Sequence, residues 1–131
     1  MNKTFALLLS AGLFVLLTAF YNQGDPWDVP AKYKSMENPT DASDGECLDV
    51  GKSLYDKHCK SCHGSEGFGD GKKSSEIDTP MPDITTDEFK NQVAGVKYYQ
   101  SFVGRKDMPN FEKKITSEED RWCVINYINS L

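Results

Sequence analysis

The sequence predicts an all-α domain. Three observations carry that expectation. No stretch alternates apolar and polar residues over the length of a strand, and no internal repeat is present. The apolar positions that do recur are spaced three and four apart, as on one face of a helix. Helix-start signals stand before two of those stretches: Ser43 with Glu46, and Thr116 with Glu119, each at capping-box spacing.

Taken in order, the chain divides into three parts. Residues 1–21 read as a signal peptide or an N-terminal membrane anchor. Lys3 precedes an apolar run over residues 5–20, broken only by Ser10, Gly12 and Thr18. That run is somewhat short of the roughly 20 residues a full span needs. The cleavage site is poorly defined, so cleaved leader and retained anchor both stand. No cysteine follows the run to carry a lipid. Either reading predicts a periplasmic or otherwise extracytoplasmic protein, with the anchored form held at the cytoplasmic membrane.

Residues 22–43 read as an extended linker or arm. Gly24, Pro26, Pro30 and Pro39 interrupt any long helix. Trp27, Val29, Tyr33 and Met36 are too apolar for a plain linker, and are expected to lie against the domain or against a partner.

Residues 44–131 form the domain. A first helix is predicted over 44–57, with Leu48, Gly51, Leu54 and Tyr55 on its apolar face. Gly64, Gly67, Gly69 and Gly71 then predict a loop whose backbone passes close to its neighbours. Pro80 and Pro82 make residues 77–84 extended. Thr86 caps a short helix over 87–92. Another follows over 94–103, with Val96, Tyr99 and Phe102 inward, and Gly104 is its stop. Residues 107–111 form a loop around Met108-Pro109. The last helix starts near Ser117 and runs to the terminus, with Val124, Tyr127, Ile128 and Leu131 inward. Glu118, Glu119 and Asp120 in its first turn complement the helix dipole.

The first helix delivers Cys59-Lys60-Ser61-Cys62-His63. Two cysteines three positions apart with histidine directly after the second form the attachment signal for c-type haem. The thiols bond to the porphyrin vinyl groups and the histidine ligates the iron. The pair alone has two other readings. A thioredoxin-like motif needs a βαβ setting, which is missing here. A structural zinc site needs four ligands, and Cys47 and Cys123 do not make a second close pair.

A thioether sulfur on the opposite face of the iron raises its reduction potential. Met81 lies 18 residues after His63, and Met108 lies 45 residues after it. The longer connection gives Met108 the reach to return to the far face, and Pro109 stiffens its loop. Met108 is therefore the expected ligand and Met81 the alternative. Met36 is expected to pack, and His58 to face solvent. The second ring nitrogen of His63 is expected to donate to the carbonyl of Pro80 or Pro82.

The formal net charge is -5, and no cluster of Lys or Arg resembles a nucleic-acid footprint. An acidic surface suits steering toward a basic docking patch, or serves solubility alone. Lys72, Lys73, Arg105 and Lys106 are candidates to rim an exposed haem edge.

With these residues on the page, the chain resembles the class I cytochrome c family over about residues 46–131. Gly51 and Tyr55 match its N-terminal helix pattern, and Val124 and Tyr127 its C-terminal one. Met108-Pro109-Asn110-Phe111 is similar to the distal-ligand loop of bacterial members, and Gly69-Asp70-Gly71 to the loop after the attachment site. The resemblance implies a small cytochrome c fold wrapped around one covalently attached haem c. It implies haem binding by Cys59, Cys62, His63 and Met108, with His63 and Met108 on the iron. The implied function is one-electron transfer between a protein donor and a protein acceptor, in respiration or another redox chain. The alternative is a membrane-tethered haem subunit of a larger oxidoreductase, oxidase or photosynthetic complex. Either way the chain is a carrier and not itself an enzyme, with no small-molecule substrate at the iron and no nucleic acid. The family's terminal helices cross closely, and Gly51 permits the approach. That crossing would bring Cys47 and Cys123 near one another, either as a disulfide or as two buried thiols.

Overall fold

The computed structural model describes residues 26–131; the segment read as leader or anchor lies outside them. Their helices are α1 Ala31–Lys34, α2 Gly45–His58, α3 Lys60–His63, α4 Asp87–Lys90, α5 Ala94–Tyr98 and α6 Glu118–Ser130. A 3-10 turn spans Ser74–Glu76 and a π-helical turn spans Tyr99–Val103. Among the described residues the only bridge of strand type pairs Arg105 with Met108. No helix among them is long and apolar enough to cross a membrane.

Both long helices are capped one residue later than the capping-box spacing suggests. Asp44 caps α2 by accepting from the Glu46 N–H at 2.9 Å, and Ser117 caps α6 by accepting from the Asp120 N–H at 3.2 Å. Ser43 is drawn instead into a turn, donating its N–H and hydroxyl to Asp41 at 2.8 and 2.7 Å. An adjacent residue with a competent acceptor wins the cap when the first has a closer local partner. Thr86 caps α4 as expected, accepting from the Phe89 N–H at 3.3 Å.

The frame is the crossing of α2 and α6. Gly51 sits at the contact, where a Cβ would overlap the carbonyl oxygen of Cys123. Cys47 and Cys123 form a disulfide beside it, with their Cα atoms 5.0 Å apart. Of the two alternatives for these thiols, the bridge is the one the crossing realises. Tyr55 of α2 meets Tyr127 of α6 with ring centroids 5.3 Å apart.

Helix α6 is buried on more than one face: Trp122, Val124, Ile125 and Ile128 all lie in the core. The arm accounts for the extra coverage. Asn38 donates to Asn126 Oδ1 at 2.6 Å, and Asn126 Nδ2 donates to Thr40 Oγ1 at 3.0 Å and to the Asp41 carbonyl at 3.2 Å. Asn126 is a buried amide with both ends satisfied, which offsets its desolvation. Upstream, Val29 is buried, and the Tyr33 ring packs 4.8 Å from Tyr99 and 6.4 Å from Tyr98. From residue 26 onward the arm therefore lies on the domain.

That packing corrects the face expected for residues 94–103. Tyr98 and Phe102 are buried, whereas Val96 and Tyr99 are half-buried. The π-helical turn widens the spacing between inward positions, and Tyr99 turns to the arm. Lys97 is buried as well, at 4 % exposure. Its ammonium donates to the Lys90 carbonyl and to Asn129 Oδ1, both at 2.8 Å, and burial holds its pKa below the ordinary lysine value. Arg121 ties α6 to α5 and to the preceding loop, donating to the Tyr98 hydroxyl at 2.6 Å and the Ile115 carbonyl at 2.7 Å.

Candidate functional site

The end of α2 presents the motif. The Cys59 N–H bonds to the Tyr55 carbonyl at 2.8 Å, closing the last turn. The chain then tightens into α3, where Cys62 and His63 both donate to the Cys59 carbonyl, at 3.1 and 3.0 Å. The glycine loop folds back over this turn. Gly69 donates to the His63 carbonyl at 2.9 Å, Gly71 to that of Cys62 at 3.1 Å, and Lys73 to that of Ser61 at 2.8 Å. Gly64, Gly67 and Gly69 take positive φ to do so. The Tyr55 hydroxyl, fully buried, donates to the Gly64 carbonyl at 2.7 Å. The backbone of residues 59–64 is thus held by α2 on one side and the loop on the other.

The side chains fit a covalent haem. Cys59 and Cys62 are the free thiols of the described residues, the other two being committed to their bridge. Burial, followed by the neighbouring Cys62, pushes the Cys59 thiol up to about 12. A thiol-exchange enzyme needs the opposite, a depressed thiol pKa. Burial also holds the His63 imidazole below its ordinary pKa, favouring the neutral form that ligates metals. Its Nδ1 is buried with no hydrogen-bond partner, so the carbonyl of Pro80 or Pro82 does not serve it as the sequence suggested. Those prolines lie against the glycine loop instead: a Cβ at Gly69 would stand 2.8 Å from the Met81 carbonyl and 3.1 Å from that of Pro82. No group of three or more His, Cys, Asp or Glu among the described residues is arranged to hold a metal ion.

His58 is not solvent-facing. Its ring is half-buried 5.9 Å from Phe111, and its Nε2 is buried without a partner. Burial first, then Lys57 and Lys114, lowers its pKa.

Met108 ends a tight turn. Arg105 and Met108 exchange both backbone bonds at 2.8 Å, and Lys106 between them adopts φ 45°. Gly104 takes φ 72°, and a Cβ there would overlap the Met108 carbonyl oxygen. Only glycine meets both demands. Downstream, the Phe111 N–H bonds to the Phe102 carbonyl at 2.9 Å. Met108 and Cys59 pack against the same buried cluster, and so does Met36, as expected for a packing residue.

Sequence reasoning missed two anchors here. Nothing in the composition marks the Tyr55 hydroxyl as a clasp on Gly64; its place four residues before Cys59 is the one available signal. Arg105, a candidate for a haem rim, has a contact that the sequence did not suggest: its guanidinium lies 4.0 Å over the Trp27 ring and donates to the Pro26 carbonyl at 2.8 Å. Lys72, Lys73 and Lys106 are exposed. Tyr55→Phe is expected to cost about 1–2 kcal/mol in chemical denaturation, because the buried Gly64 carbonyl loses its donor. An unchanged midpoint would mean the carbonyl finds another.

A small helical domain that presents two free thiols and a histidine on one fixed turn has the donor set of a protein with covalently attached haem. The family described as Cytochrome c matches residues 48–131, more than half of the chain. The chain belongs to the cytochrome c family, and its all-α architecture is that of a class I c-type cytochrome. Covalently bound haem c follows from that membership. Among solved structures it is similar to a chain of the Kuenenia stuttgartiensis reducing HAO-like protein complex, at 27 % identity and a TM-score of 0.61. The match covers 86 % of this chain and 53 % of that one, so this chain spans about half the length of that neighbour. No curated protein matches.

Proposed function

We propose that this chain carries a single haem c, attached through Cys59 and Cys62 and ligated by His63 and Met108, and moves one electron at a time between a protein donor and a protein acceptor. The observation that carries the reading is the pairing of two free thiols with a half-buried His63, whose pKa burial lowers, on a turn bonded from both sides. The sequence holds one such motif, which supports one haem. When bound, that group supplies a ferric/ferrous couple. The residues supply the rest. The turn fixes the thiols and His63. The Met108 turn offers a thioether, which favours the reduced form and fills the position a substrate would need. The Cys47–Cys123 bridge supports an oxidising compartment outside the cytoplasm.

Met108→Ala tests the ligation. The variant should keep its haem but lose the weak far-red band of sulfur-to-iron charge transfer. Its reduction potential should fall by on the order of 0.1 V. The reduced variant should also bind carbon monoxide rapidly. Retention of both band and potential would remove Met108 from the iron.

A second reading is favoured by the likeness to a chain of a multi-protein complex. On that reading this chain is the haem subunit of a larger oxidoreductase, with the same chemistry and restricted diffusion. Native fractionation separates the two: co-purification with a stable partner supports the subunit, and a free monomer supports the carrier.

A further inference from the structure

The arm lies outside the residues that match the family, yet it reaches the turn that bears Met108. We propose that Trp27 and Arg105 act together as a strap that holds the Met108 turn closed, making both of them positioning residues for the distal ligand. The inference rests on Met108 being that ligand.

The link is short and continuous. Arg105 exchanges both backbone bonds with Met108 at 2.8 Å, so the turn cannot open without moving Arg105. The Arg105 side chain is fixed at its far end: the guanidinium stacks 4.0 Å over Trp27 and donates to the Pro26 carbonyl at 2.8 Å. Trp27 is fixed in turn, edge-on to Tyr99 with centroids 6.2 Å apart. Tyr99 opens the π-helical turn that leads to Gly104 and so back to Arg105. The ring of contacts therefore closes on itself around the base of the ligand turn. The turn needs such support. It holds Lys106 at φ 45°, a left-handed conformation that a residue other than glycine adopts only at a cost. A stacked cation and a charge-assisted hydrogen bond both disfavour the open form.

A strap of this kind changes how often the thioether leaves the iron and leaves the attachment turn untouched. The test uses the full-length, haem-loaded protein. Trp27→Ala and Arg105→Ala are each compared with wild type, with Trp27→Phe as the conservative rescue and Met108→Ala as the reference for an open position. The readouts are the far-red band across a pH titration and the rate at which the reduced protein binds carbon monoxide. Each alanine variant should bind carbon monoxide about tenfold faster than wild type and lose the band about one pH unit earlier. The double variant should be no worse than either single one, because the two residues act through the same contact. Trp27→Phe should return most of the wild-type behaviour.

Rates and band within twofold of wild type in both alanine variants would overturn the strap, as would full additivity in the double variant. Trp27 is half-exposed, so its replacement reports even if Arg105→Ala fails to mature. A band that survives in Met108→Ala would instead overturn the ligand assignment, which keeps the two failures distinct.

Discussion

Gly51→Ala is expected to destabilise the protein by about 3–5 kcal/mol, well beyond an ordinary helix substitution. Helix propensity alone would favour alanine at a mid-helix position by up to about 1 kcal/mol. The crossing reverses the sign. A Cβ at Gly51 would overlap the Cys123 carbonyl oxygen and stand 3.0 Å from the Tyr127 Cβ. The main obstacle is backbone, which cannot rotate aside, and the neighbouring disulfide limits how far the helices can separate. Gly45→Ala is the control. Nothing lies within 4 Å of a Cβ there, so the same change should be neutral or slightly stabilising. Equal denaturation midpoints for the two variants would mean that α2 and α6 do not approach as closely as described.

The second large effect is expected from the bridge. Cys47 and Cys123 are separated by 76 positions, and loss of a cross-link that long costs about 4 kcal/mol through the freed unfolded chain. Cys47→Ser with Cys123→Ser should show that loss in denaturant, and a reductant acting on the wild type should approach the same value. The double variant avoids leaving a lone buried thiol. A loss under about 1 kcal/mol would show that packing at the crossing, and not the covalent link, holds these helices together.

What the sequence made legible was local chemistry. The two terminal helices and the glycine loop depend on residues close together in the chain, and each fell within a residue or two of where it was expected. The misses arose where distant segments compete. Ser43 lost the α2 cap because Asp41 captured it, a contest that spacing alone does not reveal. Tyr99 turned outward because the arm offered it Tyr33 and Trp27. Lys97 was buried because two neutral acceptors from other helices met its ammonium. Arg105 read as a surface cation, since no pattern in the sequence ties position 105 to position 27. The choice between bridge and free thiols at Cys47 and Cys123 turned on a Cα separation, which only the crossing could supply.

The two kinds of cysteine impose an order on biogenesis. In the newly made, unfolded chain all four cysteine thiols meet the same oxidants, and closing the short Cys59–Cys62 loop is entropically far easier than closing the one between Cys47 and Cys123. Once folded, Cys59 is half-buried with its thiol pKa pushed up, and so is poorly reactive toward exchange. The hazardous interval is therefore the one before α2 and α6 meet. If Cys59 and Cys62 accept the haem as proposed, a cell making this protein must keep that pair reduced through that interval while still allowing the distant pair to join.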